Sequence, residues 1–243
     1  MSELATIRET AHSLTYPNSR PRDAATLILV DRSGSEPKVL LGKRHPAHAF
    51  MPGHFVFPGG RIEAADCDVP LAEGLHPSVE TGLMRAVATR ATAGNARAFA
   101  LAAIRETFEE TGLVVGRKQA GALAPVSGAW ADFLATGFIP DLSGLRFIAR
   151  AITPPRARRR FDARFLAVDA SAIAYRVPGA IHPEAELTEV VWVGVAEAMK
   201  LPFPDITEIA LADLVRSVAA GCPQDAPVPL YRGKGNSYGS LML

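Results

Sequence analysis

Two hydrophobic periods share the 243 residues. Short apolar runs bounded by turn residues predict strands at Ala24–Asp31 (AATLILVD), Val39–Lys43 and His54–Phe57. Arg32-Ser33-Gly34-Ser35 closes the first run, so Ala24–Lys43 reads as a hairpin, and Pro58-Gly59-Gly60 ends the third. Further strands are expected near Leu145–Ile152, Phe161–Val168 and Val190–Val195. Between them the period lengthens to that of helices. One is expected around Ser78–Arg90, a stronger one from an Asn95 N-cap to Thr111 with Gly112 as its stop, and a short one at Ala129–Thr136. A last one starts at Asp205, where Asp-Ile-Thr-Glu has the form of a capping box, and runs to about Ala219. Strands interleaved with helices indicate an α/β layer fold. Residues 1–23 read as a polar arm, 24–220 as the folded domain with an insertion at about 67–94, and 221–243 as a tail without clear periodicity.

The candidate chemistry lies at the end of the strongest helix. With Arg105 at zero on a helical wheel, Glu109, Glu106 and Glu110 fall at roughly 40°, 100° and 140°, one continuous acidic face. Ile104, Phe108 and Leu101 fall on the opposite face, which can pack on a sheet. Glu106 and Glu110 are an i, i+4 pair of like charges, which repel. A hard divalent cation relieves that repulsion, since Mg²⁺ accepts a few carboxylates together with water and phosphate oxygens. The plainer reading is a solvated acidic face. Against it stand Arg105, four before Glu109 and able to hold its carboxylate; Gly112, ending the helix at once; and the turn Phe57-Pro58-Gly59-Gly60, which permits close backbone approach.

Composition then removes several classes. There are 26 basic and 25 acidic side chains, a net charge of +1, which argues against whole-molecule attraction to nucleic acid. Cys67 and Cys222 are too few for a disulfide framework or a cysteine-rich zinc site. No apolar run is long enough to span a bilayer, and Met1–Thr15 lacks the pattern of a signal peptide, so a cytoplasmic protein without a membrane partner is expected.

Gly60 through Leu113 resembles the signature of the Nudix hydrolases, which cleave nucleoside diphosphates linked to another moiety. That signature is a Gly, five residues, an acid, seven residues, then Arg-Glu-(apolar)-x-Glu-Glu-x-Gly-(apolar). Arg105-Glu106-Thr107-Phe108-Glu109-Glu110-Thr111-Gly112-Leu113 matches its second half, with Thr107 in an apolar place; Gly60 matches the first Gly, and Asp66 stands where Glu is usual. Between Asp66 and Arg105 there are 38 residues, 31 more than the signature has. An insertion at this point is similar to that of the coenzyme A diphosphatase subgroup related to Nudix hydrolase 19. The approach through Leu40-Leu41-Gly42-Lys43-Arg44, Gly53 and Phe57-Pro58-Gly59-Gly60 is similar too, with Ala49 in place of an Arg. If the insertion lies over the cleft, removing Ser78–Arg90 alters substrate preference more than folding; if it is core, the deletion unfolds the protein.

The resemblance implies a Nudix-type α/β/α sandwich with a mixed sheet in a single domain, using Mg²⁺ or Mn²⁺. It implies Glu106, Glu109 and Glu110 as metal ligands, the Gly60 carbonyl as a further ligand, and Arg105 as their orienting partner. Bound cations would neutralise phosphate charge and activate water. Glu186, six residues before Trp192 at the opening of an expected buried strand, is the candidate base or further ligand; Glu184 and Glu189 are the alternatives. Arg44, Arg61 and Arg164 are candidate substrate contacts, Arg being suited to bidentate phosphate binding. The neighbouring Arg156, Arg158, Arg159 and Arg160 read as a solvated turn, while Arg164 alternates with Phe161 and Phe165 and can face a cleft.

The implied partner is a small nucleotide: coenzyme A or an acyl-CoA, with ADP-ribose, NADH or dinucleoside polyphosphates as alternatives, and a homodimer as an open possibility. The rival of another class is a non-catalytic binding or regulatory module on the same fold. None of the three signature carboxylates is missing here, which disfavours that rival.

Overall fold

The first apolar run forms the centre of the molecule. β1 (Arg22–Asp31) buries Ala25, Leu27 and Leu29 in one cluster and Ile28 and Val30 in another, so it reads as continuous rather than alternating hydrophobicity. The computed structural model describes residues 15–47, 52–85, 93–121, 128–201, 203, 205–234 and 237–243. β2 (Lys38–Arg44) returns as the expected hairpin, followed by the short β3 (Phe55–Val56) and β4 (Gly59–Arg61). Then come α1 (Pro77–Met84), α2 (Ala93–Thr111), β5 (Leu113–Lys118), α3 (Ala131–Ala135) and β6 (Phe138–Pro140). β7 (Arg146–Ile152), β8 (Phe161–Asp169), β9 (Ile173–Arg176) and β10 (Leu187–Gly194) precede α4 (Val195–Ala198) and α5 (Asp205–Ala219). β11 (Pro229–Lys234) and β12 (Ser237–Met242) end the chain.

The main sheet runs β10-β2-β1-β8-β7-β11-β12, with β3 on β2 and β4 on β1. β1 is parallel to β8 and β7 to β11, while the other neighbours are antiparallel, so the sheet is mixed. α1, α2 and Phe133 of α3 pack on one face and α4 and α5 on the other, giving the α/β/α sandwich. β5, β6 and β9 form a small second sheet. Among the described residues no helix is long and apolar enough to cross a membrane.

One edge of β1 is divided. β2 pairs with it only at Val30 and Asp31, while β4 takes Ala24, Ala25 and Thr26. This wedge lays Gly59 and Gly60 beside α2, and it is the feature of the sheet that builds the site.

Several expectations need correction. α2 begins at Ala93, so Asn95 lies inside the helix rather than capping it. α1 stops at Met84, where Arg85 turns extended at φ −62° and ψ 137°; residues 86–90 of the expected helix lie outside those described. α5 has the expected bounds, although the side chain of Asp205 is also outside them. β10 opens at Leu187, and Trp192 is 39% exposed because β10 is an edge strand. Arg22 and Asp23, read as part of the arm, already pair in β1, and the tail supplies two strands.

The insertion is part of the core instead of a cover over the cleft. Val79 and Leu83 of α1 are buried in the same cluster as α2, and α1 packs on α2 and β7. A cavity of about 420 Å³ separates α1 from Gln224–Val228 and Leu243. Leu83→Ala is therefore expected to destabilise the protein by about 2–5 kcal/mol in urea denaturation. Deletion of 78–85 should prevent folding rather than change substrate preference.

Candidate active site

α2 carries its carboxylates at the C-terminal end, where Gly112 adopts φ +72° and stops the helix. The helix is far more buried than a solvated acidic face would be. Thr107 and Thr111 are buried, and Thr107 donates its hydroxyl to the Ala103 carbonyl at 2.7 Å, which is how a hydroxyl is accommodated in an apolar place. Glu110 is only 6% exposed; Glu106 is mostly covered and Glu109 is exposed.

Arg105 organises this turn. Its guanidinium is buried and all five N–H groups have acceptors. Nε and Nη2 reach the two oxygens of Asp66 at 2.9 and 3.1 Å, and Nη2 also donates to the Arg61 carbonyl at 2.9 Å. Nη1 donates to Glu106 Oε1 at 3.0 Å and lies 3.4 Å from both oxygens of Glu109. Asp66 is fully buried and also accepts from the Glu63 backbone N–H and the Trp130 indole N–H. Burial opposes the charge on Arg105, but the Asp66 hydrogen bonds and the surrounding carboxylates outweigh it and raise the guanidinium pKa.

The glycines face this turn. The Gly59 N–H donates to Glu110 Oε2 at 3.1 Å. A Cβ on Gly60 would stand 2.2 Å from the Glu106 carboxyl carbon and 2.3 Å from its Oε1, whereas one on Gly59 would strike the Ala25 carbonyl at 2.6 Å. Gly60 is therefore required by the carboxylate and Gly59 by the β1 backbone. Burial raises the pKa of Glu106 and Glu109, partly offset by Arg105. Glu110 is raised well above the ordinary value, first by burial and then by the charge of Glu186.

Glu186 lies just before β10 with its side chain 44% exposed, bonded to Arg44 Nη1 at 2.7 Å. The His45 N–H donates to the Glu186 carbonyl at 3.0 Å and ties this loop to the end of β2. Its charge acts on both Glu106 and Glu110, so the fold brings Glu186 and Arg44 to the carboxylate helix. Glu184 and Glu189 are exposed neighbours of Glu186. Arg61 has an exposed side chain beside Gly60. Arg164 is different: it is fully buried, 3.5 Å over the Phe99 ring, and paired with Asp23 and Asp162. Burial lowers its pKa to about 10. Alternation placed Arg164 on the correct face of β8, but α2 covers it. Arg156, Arg158 and Arg159 are exposed, Arg160 holds the Thr153 carbonyl and Asn18, and Ala49 lies outside the described residues.

Among the described residues, no three His, Cys, Asp or Glu side chains are already gathered around a point that could hold a metal. Glu106 and Glu109 are turned onto Arg105, and Glu186 onto Arg44. The donor set nevertheless fits a hard divalent ion. Gly60 leaves the space that the Glu106 carboxylate occupies, and Glu110 is a buried carboxylate whose ionised form Arg44 and the Gly59 N–H only partly offset.

Trp130 escaped the sequence reading, because nothing local marks its indole as a partner of Asp66, 64 positions away. The Asp66–Arg105 contact was legible only as a place in the signature.

Gly60→Ala tests the close approach. Its added methyl meets the movable end of a side chain, so the melting temperature should change by no more than a few degrees while Mg²⁺-dependent turnover falls at least about tenfold, read by thermal denaturation and product release.

No family model matches the chain. A Nudix hydrolase from Alicyclobacillus acidocaldarius superposes with a TM-score of 0.61 at 27% identity, covering 86% of this chain and 99% of that one. The Nudix domain of Shewanella oneidensis NrtR, solved with ADP ribose, has a TM-score of 0.46 at 15% identity over 82% of this chain and 90% of its own. The acyl-coenzyme A diphosphatase NUDT19 of Xenopus laevis is 35% identical over 98 residues, 33% of this chain and 26% of that protein. The chain thus matches about a quarter of the length of that curated relative. Divalent metal cofactors are general in the Nudix superfamily. The sandwich, the buried Arg105–Asp66 pair beneath three carboxylates, and the Alicyclobacillus structure make this chain a strong match to the Nudix hydrolase superfamily.

Proposed function

We propose that the protein is a divalent-metal-dependent hydrolase of nucleoside diphosphate derivatives, with coenzyme A or acyl-CoA as substrate and 3′,5′-ADP and (acyl-)4′-phosphopantetheine as products. The observation that carries the reaction class is the row of Glu106, Glu109 and Glu110 at the end of α2, with Gly60 held against the Glu106 carboxylate. The coenzyme A assignment is supported by the partial similarity to the Xenopus diphosphatase and by the 31-residue insertion inside the signature.

Hydrolysis of the diphosphate adds a water oxygen to one phosphorus and breaks its bond to the bridging oxygen, which leaves with the second phosphate. Glu106, Glu109, Glu110 and the Gly60 carbonyl would hold Mg²⁺ or Mn²⁺, which supplies charge neutralisation and a more acidic water. Glu186 would take the proton of the attacking water. Arg105 keeps the carboxylates of the first two residues aimed, because each of its Nη1 hydrogens is committed to one of them. Arg44 and Arg61 border the site and supply positive charge to the two phosphates. Arg164, covered by α2, would act on the substrate only through the wall it supports.

A product screen with CoA, acyl-CoA, ADP-ribose, NADH and diadenosine polyphosphates, with and without Mg²⁺, tests the assignment. CoA and its esters should be consumed in preference and only with the cation. Preference for ADP-ribose or a dinucleotide would move the substrate within the class; no turnover of any of them would favour the binding-module reading.

Glu110→Gln should reduce Mg²⁺-dependent product release below detection while the fold is retained. Its stability effect has a definite sign. Glu110 has a raised pKa in the folded chain, so the folded state holds the proton more tightly than the unfolded one. Its ionisation therefore costs stability as pH rises through the folded value. Without metal, the Gln variant should melt a few degrees higher than the wild type at neutral pH, and the gap should close near pH 4.

A further inference from the structure

We infer that Trp130 is a positioning residue for the metal-binding turn, acting through Asp66 and Arg105. The inference rests on the metal reading above, and it adds a residue from a segment outside the signature.

Trp130 stands immediately before α3 and is 1% exposed. Its indole N–H donates to Asp66 Oδ1 at 2.9 Å, the same oxygen that accepts Arg105 Nε at 2.9 Å. Asp66 Oδ2 accepts from Arg105 Nη2 and from the Glu63 N–H. With four donors on two oxygens, none of which reaches solvent, the Asp66 carboxylate has one orientation available. That orientation fixes the plane of the guanidinium through two parallel bonds, and the plane in turn directs Nη1 at Glu106 and Glu109.

Aromatic packing holds the donor in place. The Trp130 ring meets Phe133 edge-on at 5.1 Å, and Phe133 meets Phe108 edge-on at 5.2 Å. Phe108 lies on α2 between Glu106 and Glu109, facing away from them. The indole is thus located relative to the very turn that it orients. A ring serving only to fill space would not need its one polar hydrogen directed at the carboxylate of a buried ion pair. Replacing Trp by Phe removes that hydrogen and leaves Asp66 Oδ1 with a single donor. Asp66 can then rotate, and the error passes to the carboxylates. Loss of a partner that orients a metal ligand lowers metal affinity about 10–100-fold.

Calorimetric titration of Mn²⁺ into substrate-free protein tests the inference. Trp130→Phe should bind Mn²⁺ about tenfold more weakly than the wild type. Leu83→Ala, a core change away from the site, should lower the melting temperature but leave Mn²⁺ affinity within about twofold, which separates positioning from lost stability. Wild-type affinity in Trp130→Phe overturns the inference while leaving the metal reading intact; a wild-type protein that binds no Mn²⁺ overturns both.

Should Trp130→Phe fail to fold, the indole N–H resonance of the wild-type protein, assigned with Trp192→Phe, gives the answer. It should shift on Mg²⁺ addition and saturate with binding; an unmoved resonance at saturating Mg²⁺ overturns the inference.

Discussion

The ion pair of Arg105 and Asp66 is the constraint on which the rest of the site depends. Both side chains are at most 2% exposed, and removing one partner of such a pair commonly costs about 3–5 kcal/mol because the other charge is left buried. The pair also joins the two halves of the interrupted signature. Lengthening the connection between its members from seven to 38 residues costs only about 1.5 kcal/mol of loop-closure entropy. Burying a Val or Leu side chain contributes about 1.5–3 kcal/mol, so Val79 and Leu83 of α1 can offset that cost between them. The insertion is tolerated because both of its ends return to one fixed contact and its middle joins the core.

Beneath the proposed chemistry lies an arrangement that works against the fold. Glu106, Glu109 and Glu110 all have pKa values raised mainly by burial, so their ionised forms are each costly in the protein without a cation. Arg105 serves two of them, while Glu110 has the Gly59 N–H and the charge of Arg44 nearby. A fold selected for stability alone would place an apolar or amide group at Glu110. In the proposed function the deficit is the source of affinity, since a divalent ion gains most where negative charge is least compensated.

The segments legible in the sequence were those with strong local signals. Gly112 at positive φ marked the end of α2, and the periodicity of residues 205–219 gave α5 its bounds. β5, β6 and β9 were missed because they are short and their pairing partners lie far along the chain. The terminal hairpin was hidden by Pro229, Gly233 and Gly239, which interrupt an alternating pattern that pairing restores. At the site, the wheel put the acidic face together, but it could not reveal that Glu110 would be covered, because Gly59 and Arg44 come from elsewhere. Alternation gave the side of β8 on which Arg164 projects and was silent about Phe99 meeting it there. Local pattern sets direction; depth is decided by what arrives from other segments.

The cavity between α1 and Gln224–Val228 shows how the insertion and the terminal segment depend on each other. Its walls come from the insertion, the terminal segment and Phe147 of β7, and Leu243 lies at the same boundary. Gln224 reaches the Ser143 and Leu145 carbonyls, anchoring the terminal stretch to the segment that leads into β7, on which α1 rests. Each addition thus covers surface that the other would leave bare. Trimming either one would expose the flank of its counterpart, so the two extensions act as a single layer over this side of the core.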